Sequence, residues 1–257
     1  MPKRLVVCAD GTWNRDPPPP GAEASNAARV ARAARPAAAD GAPQLVYYQE
    51  GVGNRGFLDE YAGGYAGFGV DRKIRDAYLF LAANYAPGDE IFLFGISRGG
   101  FVALTVSRLL GRFGLPPESD LDRWPEVWGA YRGGAAGGPR WDKPPPVTLL
   151  GAWDTVEALG LPLPGLRRWT APRVGVRGGQ LGATVRHAVQ ALAADERRVA
   201  FTPVVWREPF PPACAVEQRW FPGSHADVCG GFGKRALAAR PLAWVVERAR
   251  SLGLAFD

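Results

Sequence analysis

The five residues Gly95-Ile96-Ser97-Arg98-Gly99 restrict this chain more than any other stretch. An apolar run, Ile91-Phe92-Leu93-Phe94, stands before them, and a helix-forming run, Gly100 to Leu110, follows. A buried strand that turns at once into a helix leaves no room for side chains in the turn, so glycines flank the serine. The serine is then held in an uncommon backbone conformation, with its hydroxyl lifted above the sheet edge. This strand, G-x-S-x-G, helix order predicts an α/β fold and marks Ser97 as a nucleophile candidate.

The rest of the chain reads in the same way. Leu5–Ala9, Leu45–Gln49 and Val147–Trp153 are short apolar runs, as expected of buried parallel strands. Ser25–Arg35, Asp71–Tyr85, Leu121–Tyr131, Thr184–Ala194 and Ala236–Ser251 are predicted helices, and Phe201–Trp206 and Ala215–Phe221 further strands. Alternating strands and helices imply an α/β fold, a mainly parallel sheet flanked by helices, with residues 1–257 as a single domain. The glycine- and aromatic-rich stretch Gly51 to Gly69 and the proline-interrupted stretch Leu159 to Leu181 are expected to be irregular. Each is a candidate lid or acyl pocket, and each could equally be a plain cover over the sheet.

Charge and cysteine usage exclude several classes. The formal net charge of +6 comes from scattered arginines with no basic arm, so no nucleic-acid partner is expected. A basic surface is compatible with contact to an anionic membrane surface. Cys8, Cys214 and Cys229 are odd in number and lack metal-ligand spacing, which fits a reducing compartment and implies no metal. The apolar run after Met1-Pro2-Lys3-Arg4 ends at Asp10, too short for a signal peptide, and no run is long enough to span a bilayer. A cytoplasmic protein is expected, with any export independent of a cleaved signal.

A serine nucleophile needs a base, and the chain has two histidines. His187 falls within a predicted helix, where packing or exposure is the ordinary role. His225 falls in the small-residue loop Phe221 to Gly231, just past a strand end, where α/β active sites gather. His225 is therefore the preferred base. Asp154, closing the Val147–Trp153 strand, completes the order serine, aspartate, histidine. Asp227 is a rival acid, but two residues from the histidine it more readily braces its own loop. An oxyanion hole requires two backbone donors: Arg98, after the nucleophile, and Gly11 or Thr12, in the turn after the first strand. Asp10 and Asp227 are supporting residues around these loops.

Asp10-Gly11-Thr12 also resembles the nucleophile loop of haloacid-dehalogenase-type phosphatases, but Cys8 stands where their nucleophilic aspartate is needed. A non-catalytic binding or regulatory module on a hydrolase scaffold is the alternative from a different class.

Several motifs fall in one family's order: Cys8-Ala9-Asp10-Gly11-Thr12-Trp13-Asn14, Gly51-Val52-Gly53, Pro87-Gly88-Asp89, Gly95-Ile96-Ser97-Arg98-Gly99-Gly100, Trp153-Asp154-Thr155-Val156, Arg186-His187-Ala188, Asp195-Glu196-Arg197-Arg198 and Pro222-Gly223-Ser224-His225-Ala226-Asp227-Val228. With them the chain resembles the α/β-hydrolase family of the type VI secretion lipase effectors' catalytic domain, over nearly its whole length. The family pattern usually has Phe at position 96, Ala at 100, Ser at 226 and Gly at 229. The resemblance implies Ser97 as nucleophile, Asp154 as acid and His225 as base, acting on ester or lipid acyl substrates without a cofactor.

Overall fold

The computed structural model describes residues 2–11, 14, 16–18, 20–51, 65–134, 137–141, 143–157, 179–231 and 235–257. Six strands form one parallel sheet: β1 (Arg4–Ala9), β2 (Gln44–Gln49), β3 (Glu90–Ile96), β4 (Val147–Trp153), β5 (His187–Ala193) and β6 (Ala215–Phe221). Their order across the sheet is β2-β1-β3-β4-β5-β6, with every neighbouring pair parallel. Parallel pairs require crossovers, and helices lie in three of them: α1 (Asn26–Ala33) between β1 and β2, α2 (Tyr65–Asn84) between β2 and β3, and α3 (Arg98–Phe113) and α4 (Trp124–Gly133) between β3 and β4; α5 (His225–Cys229) and α6 (Arg235–Ser251) follow β6.

Each central strand is apolar on both faces because helices cover both. Leu5, Val7, Ala9, Ile91, Leu93 and Leu150 pack with α2 and α3. Val6, Cys8, Phe92, Phe94, Leu149 and Trp153 pack with α1, α5 and α6. The alternation is that of a two-residue strand period. The chain runs outward from β1 to β2 and then returns to place β3 on the other side of β1. The carboxyl ends of β1 and β3 therefore flank the point where the winding reverses, and in such sheets ligands bind there.

Three sequence expectations need correction here. Thr184–Ala194 is not a helix: His187–Ala193 is β5, between β4 and β6. Alanine is the strongest helix former, but propensity is a small term beside packing, and a central place in the sheet between two helical layers takes small residues. Phe201–Trp206 is not a strand: a 3-10 turn, Val199–Phe201, leads into isolated bridges from Pro203 to Val156 and from Trp206 to Gly179. Pro203 has no N–H to offer a ladder. Helix α2 begins at Tyr65, inside the stretch expected to be irregular, and residues 52–64 lie outside the described residues. The second such stretch is likewise mostly outside them, over 158–178.

Candidate active site

Ser97 is the hinge between β3 and α3. Its backbone sits at φ 52° and ψ −123°, a region that residues with a side chain rarely occupy. The turn is held from several sides. The Ser97 N–H donates to the Trp153 carbonyl at 2.9 Å, and the Ser97 carbonyl accepts from Gly100 N–H at 3.1 Å and Val156 N–H at 3.3 Å. The flanking glycines are required by contact rather than by flexibility. A Cβ on Gly95 would lie 2.2 Å from the Gly99 carbonyl oxygen, and one on Gly99 would lie 2.1 Å from that of Ala9. Gly99→Ala must therefore push α3 away from β1. We expect this to cost about 3 kcal/mol, which for a chain of this size is a fall in Tm of roughly 6–12 °C, measurable by calorimetry.

One strand along, β4 ends in a second unusual residue. Asp154 has φ 44° and is fully buried. Its Oδ1 accepts from the Ala193 N–H at 2.9 Å, and its Oδ2 lies 2.6 Å from His225 Nδ1. A buried carboxylate needs such partners, because isolated it would pay a large desolvation cost. His225 follows β6, and the structure corrects its setting: it is the first residue of the short helix α5 rather than part of a loop. Asp227 braces the start of that helix, its Oδ2 accepting from Ser224 N–H at 2.9 Å and Ser224 Oγ at 2.8 Å. It is Asp154 that reaches the imidazole. His187 opens β5 and so lies at the amino edge of the parallel sheet, about 20 Å of strand away from the edge that carries Ser97.

Cys229 links the histidine to the Ser97 turn. Its Sγ donates to the Trp153 carbonyl at 3.4 Å, the same oxygen that the Ser97 amide binds, and lies 3.9 Å from His225 Nε2. The Nε2 edge of the ring thus lies beside Cys229. Among the described residues the Ser97 hydroxyl makes no hydrogen bond to the imidazole; such contacts often tighten only when substrate is bound. Burial, with the charges of Asp154 and Asp10 added, holds the Cys229 thiol well above its ordinary range. It is therefore a neutral packing group and not a competing nucleophile.

The turn after β1 closes the site from the other side. A Cβ on Gly11 would lie 3.1 Å from the Ser97 Cβ. Asp10 organises this turn: Oδ1 accepts from the Gly11 N–H at 2.8 Å, and Oδ2 accepts from Ser25 Oγ at 2.6 Å and Tyr48 Oη at 2.7 Å. Burial pushes the Asp10 carboxyl up, opposed by these donors and by Asn14. The Gly11 amide is thereby engaged, which leaves Thr12, outside the described residues, as the turn's remaining candidate donor. Arg98 is the first residue of α3, where amides point out of the helix end toward incoming negative charge.

A family profile, the type VI secretion (T6SS) phospholipase effector Tle1-like catalytic domain, matches residues 3–248. The chain belongs to this family. A solved structure of an uncharacterized Pseudomonas aeruginosa protein superposes with TM-score 0.62 at 19% identity, covering 100% of this chain and 47% of that one. A Tle1 effector solved bound to the VgrG spike superposes with TM-score 0.52, also at 19% identity, covering 92% of this chain and 53% of the effector. The uncharacterized protein YEL023C of Saccharomyces cerevisiae is 32% identical over 143 residues, 50% of this chain and 20% of the yeast protein. The chain thus spans about half the length of the two solved structures and a fifth of the yeast protein. For the Tle1-like domain the comparisons establish the fold, an α/β-hydrolase sheet with its helices.

Sequence reasoning missed one group around the histidine. The ring of Phe201 lies 4.7 Å from that of His225, centroid to centroid, and Glu196 accepts the His225 N–H at 3.2 Å. The signal available was the run Asp195-Glu196-Arg197-Arg198, which carried no chemical role.

Proposed function

We propose that this Tle1-like domain is a serine hydrolase that cleaves carboxylic esters, lipid acyl esters in particular, through Ser97, His225 and Asp154. The observation that supports it best is the 2.6 Å contact from Asp154 Oδ2 to His225 Nδ1, at the sheet edge that also carries the strained Ser97. Asp154 fixes the tautomer with hydrogen on Nδ1, so the Nε2 lone pair is available to take the Ser97 proton. The Ser97 oxygen then forms a bond to the acyl carbon, and the carbonyl electrons move onto oxygen. The Arg98 amide, with one from the turn after β1, holds that oxyanion. Collapse breaks the ester bond, and Nε2–H protonates the departing alcohol. Water, deprotonated by the same nitrogen, releases the acid and restores Ser97.

Among the described residues no group of three or more His, Cys, Asp and Glu side chains is placed to hold a metal ion. No helix among them is long and apolar enough to cross a membrane. A lipid substrate would therefore be met at a membrane surface rather than within a span of these helices. A protein carrier of the VgrG class is the partner that the Tle1 relationship suggests, with export independent of a cleaved signal.

Hydrolysis of p-nitrophenyl esters of increasing chain length, followed by anionic phospholipid vesicles, tests the substrate class. Activity that rises with acyl length and extends to free fatty acid release from vesicles is expected. Activity confined to acetyl and butyryl esters would replace the lipid reading with a small-ester one.

A further inference from the structure

We propose that Glu196, Arg198 and Phe201 form a clasp that holds the His225 imidazole at the angle needed for proton transfer. The proposal rests on the reading of His225 as the base and adds three positioning residues to it. The Nδ1 contact to Asp154 fixes one corner of the ring, and the 3.9 Å contact from Nε2 to Cys229 Sγ is long and weak, so the ring is still able to pivot. Something must press on a ring face to stop the pivot. Phe201 does this, with its ring centroid 4.7 Å from that of the imidazole and the planes inclined by 50°.

Phe201 needs support of its own. It closes a three-residue 3-10 turn and is only partly buried. The Arg198 guanidinium carbon lies 4.0 Å from the centre of its ring, a cation–π contact. The Arg198 side chain is itself 57% exposed and would wander unless tied. Glu196 ties it with two prongs, Nε to Oε1 at 2.9 Å and Nη2 to Oε2 at 2.7 Å, and its Oε1 also accepts the Arg198 N–H at 2.8 Å. The Glu196 side chain is only 4% exposed. Its pKa falls to about 2, set chiefly by Arg198 and against burial, so the clasp stays ionised at neutral pH.

The same carboxylate oxygen that grips Arg198 accepts the His225 N–H. The contacts therefore close into a circuit: His225 backbone, Glu196, Arg198, Phe201, His225 ring. Asp195 reinforces it by accepting the Gly223 N–H at 2.7 Å, two residues before the histidine. A staple meant only to secure the loop would need the backbone contacts alone. The guanidinium and the aromatic ring extend it onto the face of the imidazole.

The test compares Phe201→Leu, Phe201→Tyr, Arg198→Ala and Arg197→Ala with wild type and Ser97→Ala on a soluble p-nitrophenyl ester. Arg197→Ala removes an equal charge from the same exposed loop and serves as the control. Small misplacements of catalytic groups cost rate steeply, so kcat is expected to fall about tenfold in Phe201→Leu and about threefold to fivefold in Arg198→Ala, with KM changed by less than about twofold. Phe201→Tyr is expected to restore kcat, and Arg197→Ala to leave it unchanged. Only the Arg198 end of the pair is exposed, but Glu196 keeps the N–H groups of residues 198 and 225 as donors, so a small fall in the Tm of Arg198→Ala is expected. Wild-type kcat in both Arg198→Ala and Phe201→Leu, or a loss that appears in KM alone, would overturn the clasp. If Phe201→Leu fails to fold, Arg198→Ala decides alone. Hydrolysis that survives in Ser97→Ala would instead overturn the reading of the base, and the clasp with it.

Discussion

Replacing Ser97 by alanine is expected to lower kcat for ester hydrolysis by about 10⁴-fold or more while leaving the fold intact. The size of the effect follows from what the residue does. The side-chain oxygen is the only heavy atom removed, yet it is the one that would form the acyl bond, and without it the histidine has no nucleophile to deprotonate. The residual rate would come from substrate binding and the oxyanion site. Stability should hardly change. Ser97 is 7% exposed, its backbone contacts to Trp153, Gly100 and Val156 do not involve the side chain, and alanine keeps the same Cβ. Steady-state kinetics together with a thermal melt check both halves. A variant that retains more than about a tenth of wild-type kcat is incompatible with covalent catalysis at this residue.

Asp154→Asn is expected to reduce kcat by about 10⁴-fold with little change in KM. Asparagine keeps the size of the side chain, and its carbonyl oxygen can still accept the Ala193 N–H that Oδ1 accepts now. What changes is the group facing His225 Nδ1. An amide NH₂ donates where Oδ2 accepted, so the imidazole would turn to the tautomer with hydrogen on Nε2. That nitrogen could then no longer take the Ser97 proton, and no negative charge would stabilise the imidazolium. Asp154→Ala would be a poorer test. It would also leave the buried Ala193 amide unpaired, mixing a stability loss into the kinetics.

β1, β3 and β4 were legible because both faces of a central parallel strand are buried, which leaves an unbroken apolar run. The elbow was legible because close backbone contacts allow only glycine at 95 and 99. β5 was not legible, since His187-Ala188-Val189-Gln190-Ala191-Leu192-Ala193 has the composition of a helix and becomes a strand only through its place between β4 and β6. Gln190 is fully buried there, its amide donating to the Val204 carbonyl at 2.9 Å, a contact with no local signature. The pairing of Asp154 with His225 could be expected from chain order, although 71 residues separate them. The engagement of the Gly11 amide by Asp10 could not be read, because it depends on Ser25 and Tyr48 arriving from α1's cap and β2. Phe201 and Arg198 were invisible for a similar reason: their contacts form only once the segment after β5 folds beside α5.

The most direct measurement is to react the protein with a fluorophosphonate and locate the adduct by mass spectrometry. Trypsin releases Asp76–Arg98, whose only serine is Ser97. A single phosphonylated residue, Ser97, with labelling abolished in Ser97→Ala and strongly slowed in Asp154→Asn, is the predicted result. An adduct on any other residue, or a wild-type protein that hydrolyses esters yet takes no label, would contradict the assignment of Ser97, Asp154 and His225.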